Sequence, residues 1–499
     1  MGSLSISAEA GRRRSSPGHL PRLLLAGWFL LFSLATRAFV FGDPSYQEDE
    51  LLFFAIGQRM HDGLMLYVDL WDRKPPGLFA FYYLLAAFGS SVVVYQMAAA
   101  LSVAATGWVV ALVVRHYAGW LAGAGAGTLY AASILHFGGA GGQAAVFYNL
   151  AMAAAALSIL HSLDDLKAGR VPGRTYIAML LAGLAITFKQ TAIFEGAFFG
   201  IFALWQLYRA GRPVDLLLRD FALLALTGAL PMLASFAFYA VAGHFDALWH
   251  TLVGANLAKT YNATGDWWMR LRIFGVQLAP ILLVAIAGLV VLGRRKDHFF
   301  PFVTGWVAAA VLGFLIIPNL IDHYVLPLIM ALCVAAGAFF GRRLVGPYAA
   351  LGIAVLYLTL VPVTDISRGA RSAQEMRALV ERIEAADPEA RVQVFDGPVR
   401  LYALTGSYPP SPLFFPLHTN YAPERNVSQF DTRTEFARML SARPTTMVFR
   451  RRDASELYNA ETLAMARGYV DANCDGSFVH QLHDLRGSYT LDIYTGCAD

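Results

Sequence analysis

Two adjacent carboxylates, Asp49 and Glu50, stand in the first long polar stretch of this chain. A basic pair set against two prolines, Arg73-Lys74-Pro75-Pro76, follows some two dozen residues later. A carboxylate beside a cavity can take the proton from an attacking hydroxyl. A lysine ammonium holds a phosphate as a point charge, and an arginine can hold one bidentately. The stretch 45–77 therefore carries the parts of half an active site, one acidic and one cationic. Blander roles compete. Acids at a helix start favour the positive end of the helix dipole, basic side chains at a membrane surface snorkel toward headgroups, and Asp69 and Asp72 can neutralise the basic pair.

Other polar groups recur beside hydrophobic runs: Gln143 and Asn149 in GGQAAVFYN, Lys189-Gln190 in a tip between two runs, Arg270 and Arg272, and His323-Tyr324 in IDHYVLP. A lone group of this kind is more often interfacial than functional. Gathered on one side of a membrane, such groups mark a site.

Local signals say how these side chains are held. Ser45-x-x-Glu48 is a capping-box pattern, which predicts a helix starting at Ser45 and stopping near Gly63. Leu52, Ile56 and Met60 would then share one face, as in a helix lying on the membrane surface. Asp49 and Glu50 would lie about 100° apart around that helix, so they cannot both face one cavity. Lys74 before proline is held extended, and Pro75-Pro76 can open the next helix without wasting a hydrogen bond.

The chain has 499 residues, 57% of them hydrophobic and 15% charged. Soluble domains are less apolar and more charged than this, so the class is an α-helical polytopic membrane protein. Residues 1–22, with Arg12, Arg13, Arg14 and Arg22, read as a disordered cytoplasmic tail. The apolar run in 75–89 is too short to cross. Leaving it on the outer surface puts the spans at 23–41, 91–114, 119–137, 144–162, 175–189, 191–208, 220–242, 271–293, 299–317, 323–340 and 345–362, eleven in all. Arg115, Lys167/Arg170/Arg174, Arg209/Arg212/Arg219, Arg294/Arg295/Lys296 and Arg342/Arg343 then all fall inside, as the distribution of positive charge requires. The N-terminus is inside and the C-terminus outside, with 42–90 as the major outer loop of a membrane domain covering 23–363.

From about 364 the composition changes to that of a small α/β domain, 364–499. Helical spacing runs over 371–386, and helices are predicted near 432–441 and 454–467. Strands are predicted at 392–395, 446–449, 477–482 and 489–494, the last two hinged at Arg486-Gly487. An oxidising compartment would permit a Cys474–Cys497 disulfide. Asn262-Ala-Thr and Asn426-Val-Ser match the glycosylation sequon. No glycine-rich phosphate loop, HExxH, CxxC or G-x-S-x-G is present, which argues against nucleotide-driven pumps and zinc proteases.

The acidic pair after the first span, YVDLWDRKPPG at 67–77, the Lys189-Gln190 turn and the late His323-Tyr324-x-Leu-Pro segment together resemble bacterial GT-C glycosyltransferases. The group is the one holding the aminoarabinose and protein mannosyl transferases, and the resemblance covers 20–340. It implies a GT-C-like fold of about eleven transmembrane helices with outer-face juxtamembrane helices. It further implies a bacterial inner membrane and a C-terminal domain in the periplasm. The activity implied is transfer of a hexose or pentose from a polyprenyl phosphate to an envelope lipid (lipopolysaccharide among them), polysaccharide or protein. The catalytic carboxylate maps to Asp49 or Glu50, and the donor phosphate to Lys74. Where the family often has a second acid in the next outer loop, this chain has Gln143 and Asn149. Arg73, Lys189, Arg270, His323 and Tyr324 complete the expected substrate-binding set.

A single base opposite the leaving group implies inversion, by analogy with glycoside hydrolysis. Neither a metal nor another cofactor is expected, and no nucleic acid is a partner. The competing class is a transporter or flippase of a lipid-linked glycan. That class needs charged or broken helices at the bilayer midplane, whereas here the polar groups sit at the outer ends of spans.

Overall fold

The structure is a computed structural model that describes residues 19–258, 267–452, 457–485 and 487–497. Residues 1–18 of the expected tail 1–22, the Asn262 sequon and Arg486 lie outside the described residues, and 19–22, expected to be disordered, open the first helix. Helix α1 (His19–Arg37) leads through a short 3-10 turn into the loop before α2 (Glu48–His61) and α3 (Pro76–Ala86). The membrane part continues with α4 (Val93–Ala118), α5 (Trp120–His136), α6 (Ala144–Lys167), α7 (Gly173–Ile186), α8 (Ile193–Arg209) and α9 (Val214–Val241). Short α10 (Phe245–Trp249) and α11 (Ala255–Ala258) flank a π-helical turn, and α12 (Trp267–Arg294), α13 (Phe300–Leu315), α14 (Leu326–Phe340) and α15 (Val345–Thr359) complete it.

Each of the eleven predicted spans is a helix. Seven segments among the described residues are long and apolar enough to cross a membrane by length and composition. The helix after Pro75 covers about 16 Å at 1.5 Å per residue, roughly half a hydrocarbon core, as its eleven residues dictate. The bundle is built around α14, where nearly every side chain is buried. The opposite extreme is α9, which turns Phe221, Leu226, Leu230 and Phe238 outward. An apolar surface of this kind suits lipid, in which helices gain nothing by hiding leucine. Close approach comes instead from small residues. A Cβ on Gly127 of α5 would sit 2.3 Å from the Gly107 carbonyl of α4, and one on Gly288 of α12 would sit 2.0 Å from the Ala335 carbonyl of α14.

The basic loops gather at one end of the bundle. Arg174 donates to the His161 carbonyl at 3.0 Å, Arg212 to the Gly169 carbonyl at 2.6 Å, and the His116 and His161 rings are 5.2 Å apart.

At the other end sits the C-terminal part: α16 (Arg368–Ala386), β1 (Val392–Val394), α17 (Arg400–Thr405), α18 (Pro416–Asn420), α19 (Thr432–Ser441), β2 (Thr446–Arg450), α20 (Ala460–Asn473), β3 (Gly476–Asp484) and β4 (Gly487–Thr495). The sheet order is β1-β2-β4-β3. Strands β1 and β2 are parallel, Val394 opposite Val448, and the other pairings are antiparallel, Val448 opposite Ile493 and Phe478 opposite Ile493. A Cys474–Cys497 disulfide closes the far end of the β3–β4 hairpin. The helix predicted over 454–467 is displaced: Asn459 caps it by accepting from the Glu461 N–H at 3.2 Å, so it runs from Ala460 to Asn473. Asn426 of the second sequon accepts from the Thr432 N–H at 2.9 Å.

The C-terminal part is locked to the loop between α1 and α2. Buried Asp43 accepts from the Ser372 hydroxyl at 2.5 Å and lies 3.5 Å from Arg368. Gly369 of α16 packs so tightly on the Phe41 carbonyl that a Cβ would meet it at 2.1 Å.

Candidate active site

The predicted start of α2 is corrected by the structure. The Ser45 N–H is taken by Asp43 at 2.8 Å, and the helix begins at Glu48 with Gln47 as its uncapped N-cap. The other end of that capping-box bond is engaged elsewhere, because the Glu48 carboxylate accepts from the Val399 N–H of the C-terminal part at 3.2 Å, and the Ser45 hydroxyl makes no hydrogen bond among the described residues. All of Leu51 to Gly57 is buried, with α3 on one side and the C-terminal part on another, so a one-faced pattern underestimates its burial.

The two acids face different ways. Asp49 lines a cavity of about 790 Å³ between the loops at this end of the bundle and the C-terminal part. Glu48, Tyr46, Gly138, Asp322 and His323 line it too. Glu50 points the other way. It is fully buried against the chain at Gly141, where a Cβ would meet its Oε2 at 2.1 Å. Burial, with the charge of Asp49, pushes its pKa well up, against the pull of the Gly142 and Gln143 N–H groups.

The cationic half is assembled from three places. A tight turn at 65–70 keeps Tyr67 at φ 67°, and the Tyr67 hydroxyl donates to the Lys74 carbonyl at 2.6 Å. Trp71 donates its N–H to the Pro412 carbonyl at 3.0 Å. Asp72 accepts from the Lys74 N–H at 2.8 Å, lies 3.8 Å from the Lys74 ammonium, and is 3.6 Å from His418 of α18. Burial would raise the Asp72 pKa, but Lys74 and His418 outweigh it and hold the carboxyl below the usual range. The Lys74 ammonium sits 5.1 Å from the Phe53 ring centroid, one helical turn beyond Asp49. Burial opposes its charge, yet Asp72 and Asp49 keep its pKa raised.

Lys189 enters from the loop between α7 and α8, its ammonium 3.5 Å from the Tyr324 ring centroid. Burial first, then the charge of Lys74, pushes its pKa well down, while Asp49 works the other way. Lys74 and Lys189 also act electrostatically on His323, which forms part of the cavity wall. Asp49, Lys74, Lys189, His323 and Tyr324 are thus brought together, with the carboxylate at the cavity and the two ammoniums buried behind it.

The remaining predicted residues are placed otherwise. Arg73 forms an ion pair with Glu424 of the C-terminal part, so its guanidinium is already engaged. Gln143 is buried at the start of α6, beside Glu50. Asn149 is fully buried in α6, where it donates to the Tyr130 hydroxyl at 3.2 Å and the Leu326 carbonyl at 3.3 Å. It ties helices together and does not reach the cavity. Arg270 is exposed and donates to the Asn319 carbonyl at 2.9 Å, bracing the loop that leads to His323.

Sequence reasoning missed the far wall of the cavity, made by Arg450, Arg451, Arg452, Asp484 and Tyr489 from the ends of β2, β3 and β4. Its one visible signal was three consecutive arginines after a predicted strand.

No family model and no curated protein sequence matches the chain. Solved structures do. ArnT from Cupriavidus metallidurans bound to undecaprenyl phosphate matches with a TM-score of 0.57 at 17% identity, over 94% of this chain and 97% of that one. The apo state of the same protein matches with a TM-score of 0.57 at 15% identity, over 96% and 98%. This is a GT-C fold. The likeness runs through the bundle and the C-terminal part alike, so the GT-C-like architecture extends past the 20–340 over which motifs could be recognised. Among the described residues no group of three or more His, Cys, Asp or Glu side chains is arranged to hold a metal ion.

Proposed function

We propose that this chain is an inverting membrane glycosyltransferase. It would move a sugar from a polyprenyl-phosphate donor to an envelope acceptor, on the side of the membrane that carries the C-terminal part. The observation that carries the reading is the pairing of Asp49, facing a cavity large enough for a substrate, with the Lys74 ammonium one helical turn behind it. The fold's likeness to a protein crystallised with undecaprenyl phosphate supports the choice of donor.

In this reading the acceptor hydroxyl gives its proton to Asp49 as its oxygen bonds to the anomeric carbon. The bond from that carbon to the phosphate oxygen breaks, and its electron pair leaves on polyprenyl phosphate. Lys74 and Lys189 stabilise the growing negative charge in a site shielded from water. Attack opposite the departing phosphate inverts the anomeric centre. The chain would lie in a bacterial inner membrane with its N-terminus in the cytoplasm, its basic loops inside and its C-terminal part in the periplasm.

Proteoliposomes loaded with a radiolabelled polyprenyl-phosphate sugar test this directly. Transfer of label to an acceptor with release of polyprenyl phosphate is expected. Movement of the intact donor between leaflets without bond cleavage would mark a flippase and refute the proposal.

A further inference from the structure

We propose that the cavity wall built by the C-terminal part binds the acceptor, and that this acceptor is a neutral carbohydrate rather than an anionic lipid or a peptide. The inference rests on the glycosyl transfer proposed above and names its second substrate.

Three arginines face the cavity, and each is already met by a carboxylate. Arg450 lies 3.4 Å from Asp484, Arg452 lies 3.1 Å from Asp396, and Arg451 pairs with Asp492. With its charge already met by a carboxylate, such a guanidinium attracts a phosphate less than an uncompensated cation would. Its remaining N–H groups still donate, and Asp484, which lines the cavity, still has lone pairs that accept. A wall that alternates donors and acceptors fits hydroxyls, which do both. The opposite wall continues the pattern with Glu48, Asp49 and His323. The cations suited to an anion are elsewhere, in the buried Lys74–Lys189 cluster.

Tyr489 adds a ring on which the apolar face of a sugar can rest. The Arg450 guanidinium stacks 3.9 Å from its centroid and fixes its orientation. The volume of about 790 Å³ lies within the range of small-molecule sites. A peptide acceptor would be expected to add to a sheet edge. The cavity instead meets the end of β2 and the β3–β4 turn, where no edge is offered.

The test uses the full chain in proteoliposomes with labelled polyprenyl-phosphate sugar and three probes: a neutral oligosaccharide mixture, a phosphorylated glucosamine lipid and a Ser/Thr-rich peptide. Label should pass to the oligosaccharides. Arg452→Gln and Tyr489→Ala should each raise the oligosaccharide KM tenfold or more while the donor KM stays unchanged, which also shows that the variants are folded. Transfer to the phosphorylated lipid or the peptide in preference to the oligosaccharides would overturn the inference and leave glycosyl transfer standing. So would oligosaccharide transfer indifferent to both substitutions. A chain that consumes no donor with any probe fails the glycosyl-transfer reading itself, and the inference with it.

Discussion

The Lys189 ammonium lies 3.5 Å from the centroid of the Tyr324 ring. The contact joins two motifs far apart in the chain, one in the loop before α8 and one in the 3-10 turn before α14. A cation over a ring face is partly compensated without a counter-ion. The amine can therefore wait in a buried place beside Lys74 until an anion arrives.

Asp49 and Glu50 should separate cleanly by substitution. Asp49→Asn is expected to lower kcat by about 100- to 10,000-fold while donor binding persists. Glu50→Gln keeps the shape of a side chain buried away from the cavity and should retain turnover within a few-fold. Initial rates across a donor titration check both, and wild-type turnover in Asp49→Asn would remove it as the base.

Lys74→Ala should weaken donor binding by about 30-fold, or about 2 kcal/mol, the scale of one charged hydrogen bond. Lys189 predicts a pH effect. Burial and the charge of Lys74 push its pKa down and a bound phosphate would push it back up, so donor affinity should fall as pH rises. Binding isotherms over a pH series should show that slope in the wild type and a flat line in Lys189→Met.

Breaking the Arg73–Glu424 pair should loosen the C-terminal part from the donor loop. With about a fifth of the Arg73 side chain exposed, either single charge reversal should cost roughly 2 kcal/mol, below the range for fully buried pairs. The double reversal, Arg73→Glu with Glu424→Arg, should recover much of it. Thermal unfolding of the three variants in detergent measures the coupling, and strictly additive losses would show that the pair contributes nothing.

Glu48 links stability to pH. Burial first, opposed by the Val399 N–H, pushes its pKa up to about 7 from an ordinary value near 4.5. The folded state holds that proton longer than the unfolded chain does, so its contribution is complete below about 4.5 and is lost as pH rises through about 7. Melting temperatures from about pH 5 to about pH 8 should therefore fall more steeply in the wild type than in Glu48→Gln. Identical slopes would contradict the assignment.

What the sequence determined by itself is what short-range chemistry controls. Composition and charge placement established a polytopic helical bundle with its basic loops at one end, because lipid forces every backbone polar group into local hydrogen bonds. Prolines at 75 and 76 placed the start of α3, and the shortness of the run kept it from spanning. The motifs also named Asp49, Lys74, Lys189, His323 and Tyr324.

Only the tertiary structure decided what long-range contacts control. Ser45 failed as a cap because Asp43 and Val399, the latter from hundreds of residues away, claimed the groups that a local box would have used. Arg73 was withdrawn from the expected phosphate pair by Glu424, and Asn149 from the wider substrate-binding set by Tyr130 and Leu326. The choice between Asp49 and Glu50 turned on a glycine backbone that leaves room for one buried carboxyl at Gly141. No periodicity encodes such a contact. The cavity's second wall had the same origin: three arginines in sequence have no visible purpose until the sheet that bears them is laid against α2.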